Sequence, residues 1–168
     1  LYQFNQQGMG PQMGPVQISR EAADPSMIYF KGKYYIFASM TLGVWVSEDL
    51  AHWENKRLPD NLPFYDYAPD VRVIGDYVYF CASKRNEICN FYRTKNIEEG
   101  PYEEIKGSFD FWDPHQFVDD DGRVYFYWGC ANMTPIWGVE MDPETMHPKT
   151  ERVELIHGRW EEVGYERN

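Results

Sequence analysis

Three aspartates beside prolines recur at a steady interval in this chain: Asp24 before Pro25, Asp70 after Pro69 and Asp113 before Pro114. They are 46 and 43 residues apart. A carboxylate is suited to take a proton from water, or to pass one to a leaving oxygen. Hydrolysis with inversion at an acetal carbon uses two carboxyl groups roughly 6.5–9.5 Å apart, with a water beside the base. Acids so far apart in sequence can do this only if the fold gathers them. The competing reading is local, because Asp before Pro commonly initiates a turn.

Each aspartate opens the same kind of unit: a short strand, a tight turn with a glycine, and an aromatic-rich strand. The first unit pairs residues 27–30 with 34–38 across Lys31-Gly32-Lys33. The second pairs 71–74 with 77–82 across Gly75-Asp76, and the third pairs 115–118 with 124–128 across residues 119–122. The turn glycines Gly32, Gly75 and Gly122 are 43 and 47 apart. A period of about 40–50 residues with several short strands is the signature of propeller blades. Blades are four-stranded sheets set radially around a channel. Third strands are expected at 43–47, 89–94 and 136–141, and outer strands after Trp53, at 102–105 and at 152–156. The fold class is therefore all-β, a β-propeller with about three blades of an expected five. The expected organisation is an N-terminal arm over 1–19 and an incomplete propeller over 20–168. Its blades fall at about 20–63, 64–108 and 109–156, followed by the start of a connection. The arm is polar and turn-rich, and in a propeller such an arm often supplies a strand to the last blade. Inner strands begin near the axis, so acids at their starts converge.

Bulk properties narrow the partners. A hydrophobic fraction of 43% in 168 residues supports one sizeable core. The net charge of −11 argues against nucleic acid or an anionic membrane as partner, since both call for basic patches. No apolar run approaches the ~18 residues of a membrane span. No segment reads as a signal peptide, and the sequence begins at Leu1 rather than Met. Cys81, Cys89 and Cys130 lack metal-ligand spacing and read as small buried hydrophobes, with a Cys81–Cys89 bridge left open. Residues 119–122 lack the spaced ligands of a calcium loop and read as a solvated hairpin turn. His52, His147 and His157 fall in turns or outer strands, whereas His115 follows Asp113-Pro114. Aromatics make up 17% of the chain, most of them for packing. Tyr67 and Trp112 precede inner-strand motifs and are candidates for stacking on a sugar, with core packing the equal alternative. Asp70 is read as a supporting hydrogen-bonding residue, grouped with Glu21, Tyr67 and Trp112 as substrate-binding.

Four motifs in register carry a family resemblance: Arg20-Glu21-Ala22-Ala23-Asp24-Pro25-Ser26, Ser47-Glu48-Asp49-Leu50-Ala51-His52-Trp53, Tyr67-Ala68-Pro69-Asp70-Val71 and Trp112-Asp113-Pro114. Over residues 20–168 the chain resembles glycoside hydrolase family 43, five-bladed β-propeller enzymes that invert configuration using three acids. The resemblance implies that Asp24 is the general base and that Asp113 orients the general acid and tunes its pKa. It implies a glutamate in a Glu-Gly-Pro or Glu-Gly-Ala motif on the fourth blade as general acid. The sequence is read as lacking such a motif, and Glu161, Glu162 and Glu166 precede its expected place. The implied substrates carry α-L-arabinofuranosyl or β-D-xylosyl units of plant polysaccharide. Exo-galactanase-type specificity and a non-catalytic carbohydrate-binding propeller are the alternatives. No cofactor is expected, a structural Ca2+ would suit the complete propeller, and a secreted or periplasmic location is expected. The remaining partner is the rest of the propeller, in the same or a separate chain. Standing alone, three blades would expose the faces that further blades cover.

Overall fold

The structure is a computed structural model, and it describes residues 22–39, 41–59, 62, 67–84, 87–131 and 134–163. The N-terminal arm, with the strand expected of it, lies outside the described residues. Among the described residues twelve strands form three antiparallel sheets, each in simple up-and-down order. The first sheet holds β1 (Ser26–Phe30), β2 (Lys33–Phe37), β3 (Gly43–Ser47) and β4 (Glu54–Arg57). The second holds β5 (Tyr67–Ile74), β6 (Tyr77–Ser83), β7 (Phe91–Thr94) and β8 (Glu103–Ile105). The third holds β9 (His115–Val118), β10 (Val124–Trp128), β11 (Ile136–Met141) and β12 (Val153–Ile156). One helical turn, α1 (Trp160–Val163), follows.

Turn chemistry sets the register. Lys31 and Gly32 both take positive φ, 48° and 87°, as a two-residue hairpin loop of the I′ type requires. Asp119 and Arg123 close a three-residue loop in which Gly122 sits at φ 84°. That is a type I turn followed by a bulge, so residues 119–122 form the expected hairpin turn. Two strand ends differ from expectation by more than one residue. β5 begins early, at Tyr67, because a bulge between Tyr67 and Asp70 lets it keep pairing with β6. β7 begins late, at Phe91, because Cys89 is drawn into the preceding loop, its Sγ accepting from the Lys84 N–H at 3.2 Å. None of the three cysteines is in a disulfide.

Two cores separate the three blades. Between the first and second lie Ile28, Phe30, Phe37 and Val44, facing Val71, Val78 and Phe80. Between the second and third lie Tyr79, Cys81 and Phe91, facing Phe111, Phe126 and Met141. Phe111 and Phe126 meet edge to face at 4.8 Å, and Phe91 meets Phe126 likewise at 5.3 Å. Such pairs add about 0.5–1.5 kcal/mol beyond their buried area. The inner strands β1, β5 and β9 are neighbours in that order, so all three blades open side by side.

A charged network ties the first two blades at the end of the strands opposite the prolines. Glu98, in the β7–β8 turn, accepts from Lys56 Nζ at 2.7 Å, Lys33 Nζ at 3.0 Å and the Tyr35 hydroxyl at 3.1 Å. The Lys56 bond, with Lys33 and Tyr35 behind it, holds the Glu98 carboxyl down at about 2. Burial, with the Glu98 charge beside it, pushes the Tyr35 phenol well up.

Candidate active site

The three inner strands are introduced by Asp24-Pro25, Ala68-Pro69 and Asp113-Pro114. The residue before each proline has a left-handed backbone, with φ of 49°, 47° and 50°. For a residue other than glycine this costs about 1–3 kcal/mol, and aspartate tolerates it better than most. Ala68 shares the conformation without a carboxylate. The strain therefore belongs to the blade, and the side chain placed on it decides the chemistry.

The backbone corrects the expected equivalence of Asp24, Asp70 and Asp113. Across the inner hairpins Ser26 faces Phe37, Asp70 faces Cys81 and His115 faces Tyr127. Asp70 is thus the counterpart of Ser26 and His115, two residues further along than Asp24 and Asp113. Its substrate-binding role is corrected as well. Asp70 is buried, and its oxygens are occupied by protein donors. Ser26 Oγ donates to Oδ1 at 3.3 Å, while the Gln116 backbone N–H at 2.7 Å and Gln116 Nε2 at 3.2 Å donate to Oδ2. One carboxylate so ties β1, β5 and β9 together. His115 remains exposed, with Nδ1 3.7 Å from Asp70 Oδ1.

Two serines missed by the sequence reading link the strand openings. The Ala68 N–H donates to Ser39 Oγ at 2.8 Å, and the Asp113 N–H donates to Ser83 Oγ at 2.9 Å. Each serine lies just past the second strand of its blade, or at its end, and fastens the next blade. Gly129 holds the third such place: its N–H bonds to the Trp112 carbonyl at 2.8 Å, as that of Ser39 bonds to Ala23 at 2.9 Å. A Cβ at Gly129 would stand 2.8 Å from the Pro135 carbonyl oxygen. Ser39 Oγ also lies 3.3 Å from Asp24 Oδ2. Asp24 is exposed and Asp113 half-buried, and they flank the second blade at the same end of the sheets. The signal was present in the sequence: Ala38-Ser39 and Ala82-Ser83 are 44 residues apart, as are Pro25 and Pro69.

Over residues 15–168 the chain matches the family profile of Glycosyl hydrolases family 43. The chain belongs to glycoside hydrolase family 43. A relative, xylosidase/arabinosidase 43A of Humicola insolens, is 27% identical over 171 residues, covering 77% of this chain and 48% of that protein. A thermostable family-43 glycoside hydrolase of known crystal structure superposes with a TM-score of 0.64 at 23% identity, over 84% of this chain and 55% of that one. An exo-β-1,3-galactanase from Phanerochaete chrysosporium superposes with a TM-score of 0.63 at 18% identity, over 84% of this chain and 40% of that one. The family-43 chain described here thus spans about half the length of these relatives.

The remaining candidates scatter. Trp112 is half-buried beside Asp113. Tyr67 opens β5, but its side chain, like Glu21 and Glu166, lies outside the described residues. Glu161 and Glu162 are exposed on α1. A Glu-Gly-Pro triplet does occur, Glu99-Gly100-Pro101, but in the β7–β8 turn, at the end of the second blade away from Asp113. There Glu99 accepts from Asn96 Nδ2 at 3.2 Å, as a turn residue. At the same far end, a recess of about 390 Å³ is lined by Lys33, Glu48, His52, Trp53 and Lys56. Its two lysines are held by Glu98, and His52 is held by Asp49 at 2.7 Å. No cluster of three metal-ligating side chains occurs among the described residues.

Proposed function

We propose that this chain supplies the base side of an inverting glycosidase site in a family-43 propeller, with Asp24 as general base. Asp24 takes a proton from a water, and that water attacks the anomeric carbon opposite the leaving sugar. Asp113, on the third blade, orients the general acid and tunes its pKa. The observation that carries this reading is the shared backbone position of the two acids, each in a left-handed residue before a proline at the opening of an inner strand. The expected substrates carry terminal α-L-arabinofuranosyl or β-D-xylosyl groups, a class supported by the likeness to the Humicola insolens xylosidase/arabinosidase. Galactan is the second class, supported by the likeness of fold to the galactanase.

The test uses the full-length protein with aryl α-L-arabinofuranoside, aryl β-D-xyloside and β-1,3-galactan. NMR of the first-released sugar should show inverted configuration; retention would sink the mechanism. Asp24→Asn should lower kcat by about 10²–10⁴-fold while sugar binding, read by calorimetry, persists. Sugar binding without turnover on any of these substrates in the wild-type protein would instead favour the carbohydrate-binding propeller.

A further inference from the structure

In each blade the residue two before the proline pairs with a residue at the end of the second strand or just past it: Ala23 with Ser39, Tyr67 with Ser83 and Trp112 with Gly129. The next residue in each blade, directly before the proline, is Asp24, Ala68 or Asp113. The first blade alone joins a carboxylate to a hydroxyl. The second has the hydroxyl without the acid, and the third has the acid without the hydroxyl.

A serine hydroxyl has one proton and two lone pairs. Ser39 is 1% exposed, and its Oγ receives the Ala68 N–H at 2.8 Å. An amide can only donate, so that contact occupies a lone pair and leaves the Ser39 proton to point elsewhere. Asp24 Oδ2 stands 3.3 Å away, and an ionised carboxylate can only accept. The hydroxyl is therefore oriented by the neighbouring blade and aimed at one oxygen of Asp24. Ser83 makes the same bond between blades, accepting from the Asp113 N–H, yet in its own blade the position before the proline is Ala68, which has no carboxylate to receive its proton. Fastening the blades thus needs only the acceptor half of the serine.

We propose that Ser39 is a positioning residue that fixes the Asp24 carboxylate through Oδ2, with its own orientation set by the second blade. This rests on the assignment of Asp24 as base. With Oδ2 restrained, the carboxylate presents Oδ1 to the attacking water in one direction. Misplacing a reacting group by about 1 Å costs on the order of 10²-fold in rate.

Three variants of the full-length protein test this: Ser39→Ala, Ser39→Thr and Ser83→Ala. Ser39→Ala and Ser83→Ala remove equivalent bonds between blades, so their denaturation midpoints should fall alike. Ser39→Ala alone should move the 13C carboxyl resonance of Asp24, and it should lower kcat by about ten- to a hundredfold with KM within about twofold. Ser39→Thr, which keeps the hydroxyl, should restore both readouts. If its methyl is not accommodated, the Ser39→Ala and Ser83→Ala comparison still decides. An unmoved Asp24 resonance with kcat within twofold of wild type in Ser39→Ala overturns the proposal. So does an equal displacement of that resonance in Ser83→Ala. Asp24→Asn separates the two levels. If it abolishes turnover while Ser39→Ala does not, only the role of Ser39 falls. If it leaves turnover intact, the base assignment falls and takes the role of Ser39 with it.

Discussion

The second blade and its two neighbours are built from the same turn and strand pattern yet live in different environments. In β6 every side chain from Val78 to Ser83 is buried, because Val78 and Phe80 enter one core while Tyr79 and Cys81 enter the other. In β10 burial alternates, with Val124, Phe126 and Trp128 inward and Tyr125 and Tyr127 half-exposed. The outward faces of the flanking blades carry Met27, Tyr29, Val153, Leu155 and Ile156, each about half exposed or more. A strand buried on both faces reads as a continuous apolar run, and one buried on a single face alternates. The repeat thus decides the blade, and its place in the row decides how much of the blade is core.

The largest expected effect sharpens this contrast. Phe80 is fully buried and packs on Phe37 at 5.6 Å and Tyr92 at 6.4 Å. Phe80→Ala should cost about 3–5 kcal/mol of unfolding free energy in a guanidinium titration. A loss below about 1 kcal/mol would break the picture of a doubly buried middle blade.

A smaller effect should come from the charged tie between the first two blades. Glu98→Gln should cost about 1–3 kcal/mol near neutral pH. The carboxyl of Glu98 is lowered from 4.5 to about 2 in the folded chain. Its contribution is therefore complete above about pH 4.5 and is lost as pH falls towards 2. The stability curves of wild type and variant should converge over that window, measured by denaturant midpoints at several pH values. Curves that stay parallel down to pH 2 would remove Glu98 from the contact.

The smallest effect belongs to the outward faces. Met27→Ser and Val153→Ser should each change the stability of the 168-residue chain by no more than about 0.5 kcal/mol. A loss of 2 kcal/mol or more from either would mean that its face is covered in solution.

Much of this arrangement was legible in the sequence. Lys31-Gly32 and Gly75-Asp76 announced hairpins, and the aromatic-rich run in residues 124–128 announced a strand. The register of the site was harder to see. Aligning the repeats by their acids matches Asp70 with Asp24, while aligning them by their prolines matches Ala68 with Asp24. The prolines are 44 and 45 residues apart, a steadier spacing than that of the acids. Proline fixes backbone shape, whereas an acid records only what one blade does with that shape. Ser39 and Ser83 escaped notice because a serine after a strand commonly marks a turn, and their partners are backbone amides of another blade. Asp70 misled because a buried carboxylate tying three strands looks, in sequence, like one facing solvent.

Ala68 carries a further consequence. The backbone at the openings of the three inner strands is nearly symmetric, and the charge upon it is not. Strand β5 lies between β1 and β9, so an acid at position 68 would stand between those of Asp24 and Asp113. Neighbouring like charges oppose one another's ionisation. A third carboxylate there would add a like charge between the two acids and blur the division of labour proposed for them. The methyl group of Ala68 keeps the frame and leaves that middle seat uncharged. The unequal roles proposed for Asp24 and Asp113 would then depend in part on a residue that does no chemistry at all.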